Sequence, residues 1–414
     1  MRATSSHLIA GLSLLLATGC TGESYSRRAE RDARALLDEG FRASLQRREE
    51  TALQPRAAEP APEAPAEPQA APAERRVLDL RATLAGAFDG NRAMLAQREA
   101  LEIQALTLRG ARHEFAPQLG LSLGYLFGER LGAPDSNGAS AAFSASQILP
   151  TGARLSLEAS SATNARENGA PTHDSLLAAT LVQPLLRGGG HAVTHEPLIQ
   201  AERNLVYALR DFELFREDFT IDVARRYYDL VNQKQSIENQ RRNMESNEFA
   251  RRQAEALFAV GRANELDVLR ARRSELVAKN ALLEAEEGLE LALDGFRIFL
   301  GLPSDQPVDV EADAPPFTPV AYDLASALEA ARANRLDLLN RREQLEDVER
   351  GLMLTRNSLL PDLNLSVGTS YATDERADLF GSDLGRTDTS VALTLSVPLD
   401  RVRERNSYRT AQLG

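Results

Sequence analysis

From Asp211 to Leu300 the chain carries an almost unbroken helical pattern, interrupted once at Ala259-Val260-Gly261-Arg262-Ala263-Asn264. Upstream of the break, Phe215, Phe219, Val223, Tyr227 and Val231 recur every fourth residue. Downstream, Leu269, Leu276 and Leu283 repeat every seventh, and Leu282, Leu289 and Phe296 form a second seven-residue track. Two apolar tracks separated by charged residues suit a helix packed against neighbours on more than one side. Proline is absent from Leu198 to Leu302, so nothing in that span forces a kink. At about 1.5 Å per residue the arm from Leu198 to Val260 runs roughly 95 Å, some three times the ~30 Å hydrocarbon core of a bilayer. It is too charged to lie in lipid. An arm of this kind suits a long coiled-coil conduit, not a compact core.

The formal net charge of −12 leaves no basic surplus to displace phosphate counterions, which argues against nucleic acid as a partner. Trp is absent and aromatics make up 5% of the chain, low for a compact enzyme of 414 residues. No apolar run reaches the ~18 residues of a transmembrane helix, so any membrane crossing must use strands. The start reads as an export signal. Arg2 supplies a positive region, Leu8 to Ala17 a short apolar one, and Ala17-Thr18-Gly19-Cys20 a small-residue processing site holding the only cysteine. That site resembles a bacterial lipobox with Ala17 where Leu is more usual, which makes Cys20 the lipidation candidate; the alternative is an ordinary signal peptide with an incidental cysteine. The expected layout is a signal peptide over 1–19, a lipid-anchored N-terminal segment over 20–53 and a Pro/Ala-rich linker over 54–76. The anchored segment includes a charged, weakly amphipathic helix from Ser24 to Thr51. Pro55, Pro60, Pro62, Pro65, Pro68 and Pro72 give the linker its extended character.

Two later segments are alike. Asp79-Leu80 opens a helix with Arg98-Glu99, Leu101-Glu102, Arg112 and Phe115 that ends at Pro117. Asp323-Leu324 opens another with Arg342-Glu343, Leu345-Glu346, Arg356 and Leu359 that ends at Pro361. The offset is 244 throughout and continues through Leu119/Leu363, Leu121/Leu365, Ser122/Ser366 and Gly124/Gly368. The chain contains a duplicated unit. After each Pro the apolar period changes to two: Leu119, Leu121, Leu123, Tyr125 and Phe127 in the first copy, Leu363, Leu365, Val367 and Tyr371 in the second, then Val391, Leu393, Leu395, Val397 and Leu399. Strands of about ten residues with one apolar and one small or polar face suit a membrane β-barrel, and equally a soluble sheet with one face on a core. The export signal, the Gly/Ser-rich face and aromatics near strand ends favour the barrel. Further strand candidates at Ala141–Leu149, Arg154–Ser160 and Leu176–Leu185 give the first copy four strands against two in the second.

Gln183-Pro184-Leu185-Leu186-Arg187-Gly188-Gly189-Gly190 lacks the Lys-Ser/Thr of a phosphate-binding loop and reads as a strand-to-helix junction needing glycine dihedrals. His191 and His195, four apart with Glu196 alongside, have a metal-compatible spacing but no third ligand, and Pro197 puts them at a helix start. No nucleophile–base set or paired carboxylate can be assembled. No catalytic residue, metal or cofactor is expected.

Helix, strand, strand and long helix, duplicated behind a lipobox, resembles the outer-membrane efflux proteins, the TolC-like family. Gln183 to Gly190 is similar to that family's strand-to-helix junction. Val260-Gly261-Arg262-Ala263-Asn264-Glu265-Leu266-Asp267-Val268-Leu269 resembles its helical-hairpin tip, and Leu300-Gly301-Leu302-Pro303 the end of its first repeat. Val397-Pro398-Leu399-Asp400, followed by Arg403, Arg405, Asn406 and Ala411, resembles the second junction. The resemblance runs from about Val77 to the C-terminus. It implies an α+β membrane protein in which a duplicated helix-strand-strand-helix unit (77–303, then 304–414) forms a transmembrane β-barrel and a long periplasmic α-helical coiled-coil barrel shared by a homotrimer. Strand-to-helix junctions at Pro184, Gly188, Gly189, Gly190 and Pro398 would join the two. The tip at Gly261, Arg262, Ala263, Asn264, Glu265, Leu266 and Asp267 would meet a periplasmic adaptor, or membrane fusion, protein bound to an inner-membrane pump.

In the second copy the sequence stops at Gly414, sixteen residues after Pro398, where the first copy continues into its long helix. The family's acidic ring at the periplasmic mouth belongs to that absent arm, and Asp267 is only its first-copy counterpart. This departure points to a truncated or incomplete second repeat. The resulting reading is a lipid-anchored outer-membrane exit duct for efflux or type I secretion, extending into the periplasm and passing small molecules or proteins without chemistry of its own. The alternatives are a periplasmic coiled-coil scaffold or adaptor lipoprotein, and a periplasmic metallohydrolase using His191, His195 and Glu196.

Overall fold

The computed structural model describes residues 22–45, 75–128, 136–166, 172–303, 305–311, 323–372 and 387–414. Cys20, the export signal and the Pro-rich stretch up to Glu74 lie outside the described residues. The elements in chain order are α1 (Gly22–Leu45), β1 (Arg76–Leu78), α2 (Leu80–Gly90), α3 (Arg92–Glu114), β2 (Gln118–Gly128), β3 (Ser136–Ile148), β4 (Arg154–Arg166) and β5 (Thr172–Pro184). They continue with α4 (His191–Thr194), α5 (Glu196–Ala259), α6 (Glu265–Leu300), β6 (Val308–Val310), α7 (Leu324–Asn334), α8 (Leu336–Asn357), β7 (Asp362–Ala372), β8 (Thr387–Ser396) and α9 (Val402–Leu413). No helix among the described residues is long and apolar enough to cross a membrane.

The chain divides into two compact units that cut across the two repeats. One comprises α1 with residues 102–209 and 337–414, the other residues 75–101 and 210–336. The first unit holds one six-stranded sheet in the order β2-β3-β4-β5-β7-β8, antiparallel throughout. In it α1 buries Ala33, Leu36, Leu37 and Phe41, a fuller apolar face than its weak sequence amphipathicity suggests. Gly40 lets α1 close on α5, for a Cβ there would stand 2.6 Å from the Leu209 side chain.

Strand register explains the alternation. Leu119, Leu121, Leu123, Tyr125 and Phe127 pair with Ala145, Phe143, Ala141, Ala139 and Asn137, and the same face continues through Leu157, Leu177, Val367 and Val391. The opposite face carries Gly120, Ser122, Gly124, Ser140, Ser144, Glu158, Ser366, Gly368, Ser370, Asp388 and Ser390. The large apolar side chains are exposed, Leu121 at 71% and Val391 at 69%. Among the described residues no core covers them.

In the second unit, α5 and α6 form an αα-hairpin whose interior is built from the fourfold and sevenfold tracks. Phe219, Val223, Tyr227 and Val231 are buried, as are Leu282 and Phe296. Phe219 sits among Phe88, Phe215 and Phe299, with ring centroids 5.5, 5.7 and 5.8 Å away. The other track stays outside: Leu269, Leu276 and Leu283 are exposed. A short parallel pair, β1 with β6, leans on α5. Tyr227 donates at 3.4 Å to the Leu78 and Glu311 carbonyls, and Lys234 reaches the Val310 carbonyl and Asp309, both at 2.6 Å. Three-residue strands carry too little period to be read from sequence. β1 also claims Arg76 from the end of the expected linker.

The helix expected from Asp79 to Pro117 is two helices, α2 and α3. The Asn91 side chain accepts from the amides of Ala93 (2.8 Å) and Met94 (3.1 Å), capping α3, and donates to the Phe299 carbonyl at 2.7 Å. A residue that caps a new helix stops the old one. The second copy breaks at the equivalent position, between Asn334 and Leu336, and both copies open on an aspartate cap, Asp79 and Asp323. Strands β3, β4 and β5 are longer than their sequence patterns, because alternation fades where Ala and Ser replace Leu.

Candidate functional site

Three places stand out among the described residues: the sheet-to-helix junctions, a polar cluster beside the first of them, and the hairpin tip.

β5 ends at Pro184 and the chain turns into α5 through glycines with left-handed backbone, Gly188 at φ 77° and Gly190 at φ 95°. Only glycine adopts these routinely. At Gly189 a Cβ would stand 2.5 Å from the Pro184 carbonyl oxygen, so this position needs glycine for space. The turn is stitched to the second repeat: Leu185 N donates to Leu363 O (2.8 Å) and Gly188 N to Asn357 Oδ1 (2.9 Å). Gly190 N donates to Thr151 O (3.0 Å) in the β3–β4 turn, and Arg187 pairs with Asp362 at 3.4 Å. The second junction works otherwise. After Pro398 it has no glycine; Arg401 folds back instead, its Nε donating to Pro398 O at 3.0 Å and its Nη1 to Leu359 O.

Glu196, named with His191 and His195 in the metallohydrolase alternative, is engaged by an arginine. Its carboxylate, 6% exposed, accepts from Arg350 Nε at 2.8 and 3.0 Å. Arg350 also donates to Asp347 (2.7 Å), which accepts from Tyr207 Oη at 2.7 Å and pairs with Arg203. Arg203 ties on to Tyr207 (3.1 Å) and the Glu343 carbonyl (2.6 Å). Burial alone would raise the Asp347 carboxyl, but hydrogen bonds from Tyr207, Gln200 and Arg350 with the Arg203 charge hold it below the usual range. Burial and the bond to Asp347 push the Tyr207 phenol up to about 12. The cluster joins α5 to α8 across the repeats, and sequence reasoning missed it because its members lie some 140 residues apart. The local signals were Arg203–Tyr207 at i,i+4 and Asp347–Arg350 at i,i+3. His195 stacks between Phe115 and His191, with centroids 4.7 and 4.0 Å away, as an aromatic filler. Among the described residues no three His, Cys, Asp or Glu side chains are placed to hold a metal.

At the tip, Gly261 takes φ 69° and ends α5, its amide donating to Phe258 O (3.0 Å) while Arg262 N donates to Leu257 O (2.8 Å). Asn264 then caps α6 in a reciprocal box: Asp267 N donates to Asn264 Oδ1 (2.8 Å) and Asn264 N to Asp267 Oδ2 (3.3 Å). Asp267 is thereby committed to the turn, with Arg270 3.7 Å away. Behind the turn Arg251 bridges Glu255 (2.6 Å) and Glu275 (2.5 Å), and Arg272 meets Glu255 at 2.9 Å, locking the two arms. Phe258, Val260, Leu266 and Leu269 are exposed around it.

Residues 135–301 match the family described as outer membrane efflux protein. Among solved structures, VceC of Vibrio cholerae is similar at 14% identity over 81% of this chain and 72% of its own, with a TM-score of 0.57. CmeC of Campylobacter jejuni is 15% identical over 81% of this chain and 64% of its own, TM-score 0.55. The open state of MtrE of Neisseria gonorrhoeae is 13% identical over 81% and 66%, TM-score 0.54. At these identities the likeness is one of fold. No curated protein matches the sequence. Residues 135–301 thus match the outer membrane efflux protein family, and the chain as a whole shares the fold of solved outer-membrane channels.

Proposed function

We propose that the chain is the outer-membrane exit duct of a tripartite efflux or type I secretion system, working as a homotrimer. Three copies join their sheets into one barrel in the outer membrane, and their helices into one periplasmic tunnel. The observation that carries this reading is the sheet: across six strands, exposed Leu121, Leu123, Tyr125, Phe127, Leu177 and Val391 share one face, while the other carries chiefly Gly, Ala, Ser and acidic residues, with Leu126 the large exposed exception. A lipid-facing wall around an aqueous lumen requires that segregation. The uncovered Leu269, Leu276 and Leu283 track supplies the contact between helices of neighbouring copies. Acylation of Cys20, two residues ahead of α1, tethers the first unit to the inner face of the same membrane. The tip at Gly261 to Asp267, with Phe258 and Val260 exposed beside it, docks the adaptor. Transport is passive in this component, since its residues form a wall and a tip, and the driving force comes from the inner-membrane partner.

The test is electrophoretic. Full-length protein from outer membranes should need detergent for extraction, run as an oligomer without boiling and collapse to monomer on heating. Release into aqueous buffer as a monomer once the lipid is cleaved would contradict the proposal.

A further inference from the structure

Resting on the trimer reading, the strand register assigns the seam through which copies close. In the hydrogen-bonded register Leu121, Phe143, Ala159, Leu177, Tyr371 and Thr387 lie level across the sheet. The apolar belt does not follow that level. On β2 it runs from Leu119 to Phe127, mostly on the loop side of the row. On β4 and β5 it has slipped to Leu155–Ala159 and Leu177–Leu181. On β8 it occupies Val391, Leu393 and Leu395, wholly on the helix side. Its centre moves about eight residues over five strand-to-strand steps. At ~3.3 Å per residue and ~4.8 Å per strand this drift corresponds to a strand tilt of roughly 45–50°. A membrane fixes the belt at one height, so a belt drifting across the register means that the strands cross the membrane tilted, as closure into a barrel demands.

The same drift, carried one step further, sets the register at the open edges, β8 of one copy and β2 of the next. We infer that β8 pairs antiparallel with the neighbouring copy's β2 with Leu395 opposite Leu123. The outward rows are then Leu393 with Tyr125 and Val391 with Phe127. The inward rows are Ser396 with Ser122 and Thr394 with Gly124. In these rows each apolar residue meets an apolar one and each small residue a small one, Ala392 opposite Leu126 being the one mixed inward row, and both bare edges are paired. With six strands per copy, the closed barrel has eighteen, in the range of about 16–18 strands that leaves an aqueous channel. Its lumen carries Glu158 and Asp388 from each copy.

Disulfide scanning tests the seam in the full-length chain, whose native cysteine is Cys20 alone. Ser122→Cys is combined in turn with Ser390→Cys, Ala392→Cys, Thr394→Cys and Ser396→Cys; Gly120→Cys with Asp388→Cys probes an untilted, level seam. After oxidation in outer membranes, covalent multimers should peak with Ser122→Cys/Ser396→Cys, several-fold above the other pairs. A maximum at another pair, or at the level pair, overturns the register. Native oligomers that yield no cross-link with any pair overturn the seam and leave the trimer standing. Single-cysteine chains that enter the membrane but remain monomeric overturn the trimer reading itself.

Discussion

Gly301 shows how much one residue can decide. It ends α6 at φ 72°, and a Cβ there would lie 2.0 Å from the Gly90 carbonyl oxygen, a backbone atom that cannot swing aside. Gly301→Ala should therefore cost about 2 kcal/mol or more, adding left-handed strain to the clash. A lowered midpoint in far-UV circular dichroism melts would show it; an unchanged midpoint would mean that the approach relaxes freely. Asn264→Ala removes one half of the capping box and should cost about 1 kcal/mol. It should raise amide exchange at residues 260–268 and leave the strands untouched. Both stretches stood out in the sequence through their resemblance to the TolC-like family's hairpin tip and first-repeat end, while the capping role of Asn264 and the close approach at Gly301 emerge only in the fold. Asn91 did not stand out, because its capping role becomes decisive only once the Phe299 carbonyl is beside it.

At the level of elements, α5 and α8 are held together by charge as much as by packing. Arg350→Met leaves Glu196 buried without a partner, at a cost of about 3 kcal/mol, the low end for a broken buried pair because Arg350 keeps 24% exposure. The double variant Glu196→Gln/Arg350→Met should recover part of that loss in the same melt. The pH dependence has a definite sign. Asp347 is depressed in the folded chain, so its contribution is present above its unfolded value near ~4 and disappears as pH falls through the lower folded value. Asp347→Asn should flatten stability below about pH 4. Tyr207 is raised, so its contribution is full below ~10 and lost as pH rises through about 12. In an alkaline absorbance titration, Tyr207→Phe should remove a late-titrating phenol. The helices and strands themselves were readable from periods of four, seven and two. This cluster was not, since no local pattern marks partners separated by a helical hairpin, β6 and α7.

For the whole molecule, the duplication explains most of the architecture and one departure from it. Helix and β2/β7 positions keep an offset of 244, but the junction prolines Pro184 and Pro398 are 214 apart. The difference of thirty residues is the hairpin of β3 and β4, present in the first copy and missing from the second. Its strands were the hardest to read because Ala and Ser blur the alternation, yet by register they continue both faces of the sheet. In the proposed trimer this hairpin adds six strands to the barrel and widens its bore. The central claim, an open-ended duct through the outer membrane, is tested most directly by adding heat-sensitive oligomers of the purified full-length protein to a planar lipid bilayer. The account predicts stepwise, stable conductance increments that vanish when the oligomers are boiled first. Intact oligomers that insert into the bilayer and leave it electrically silent would contradict it.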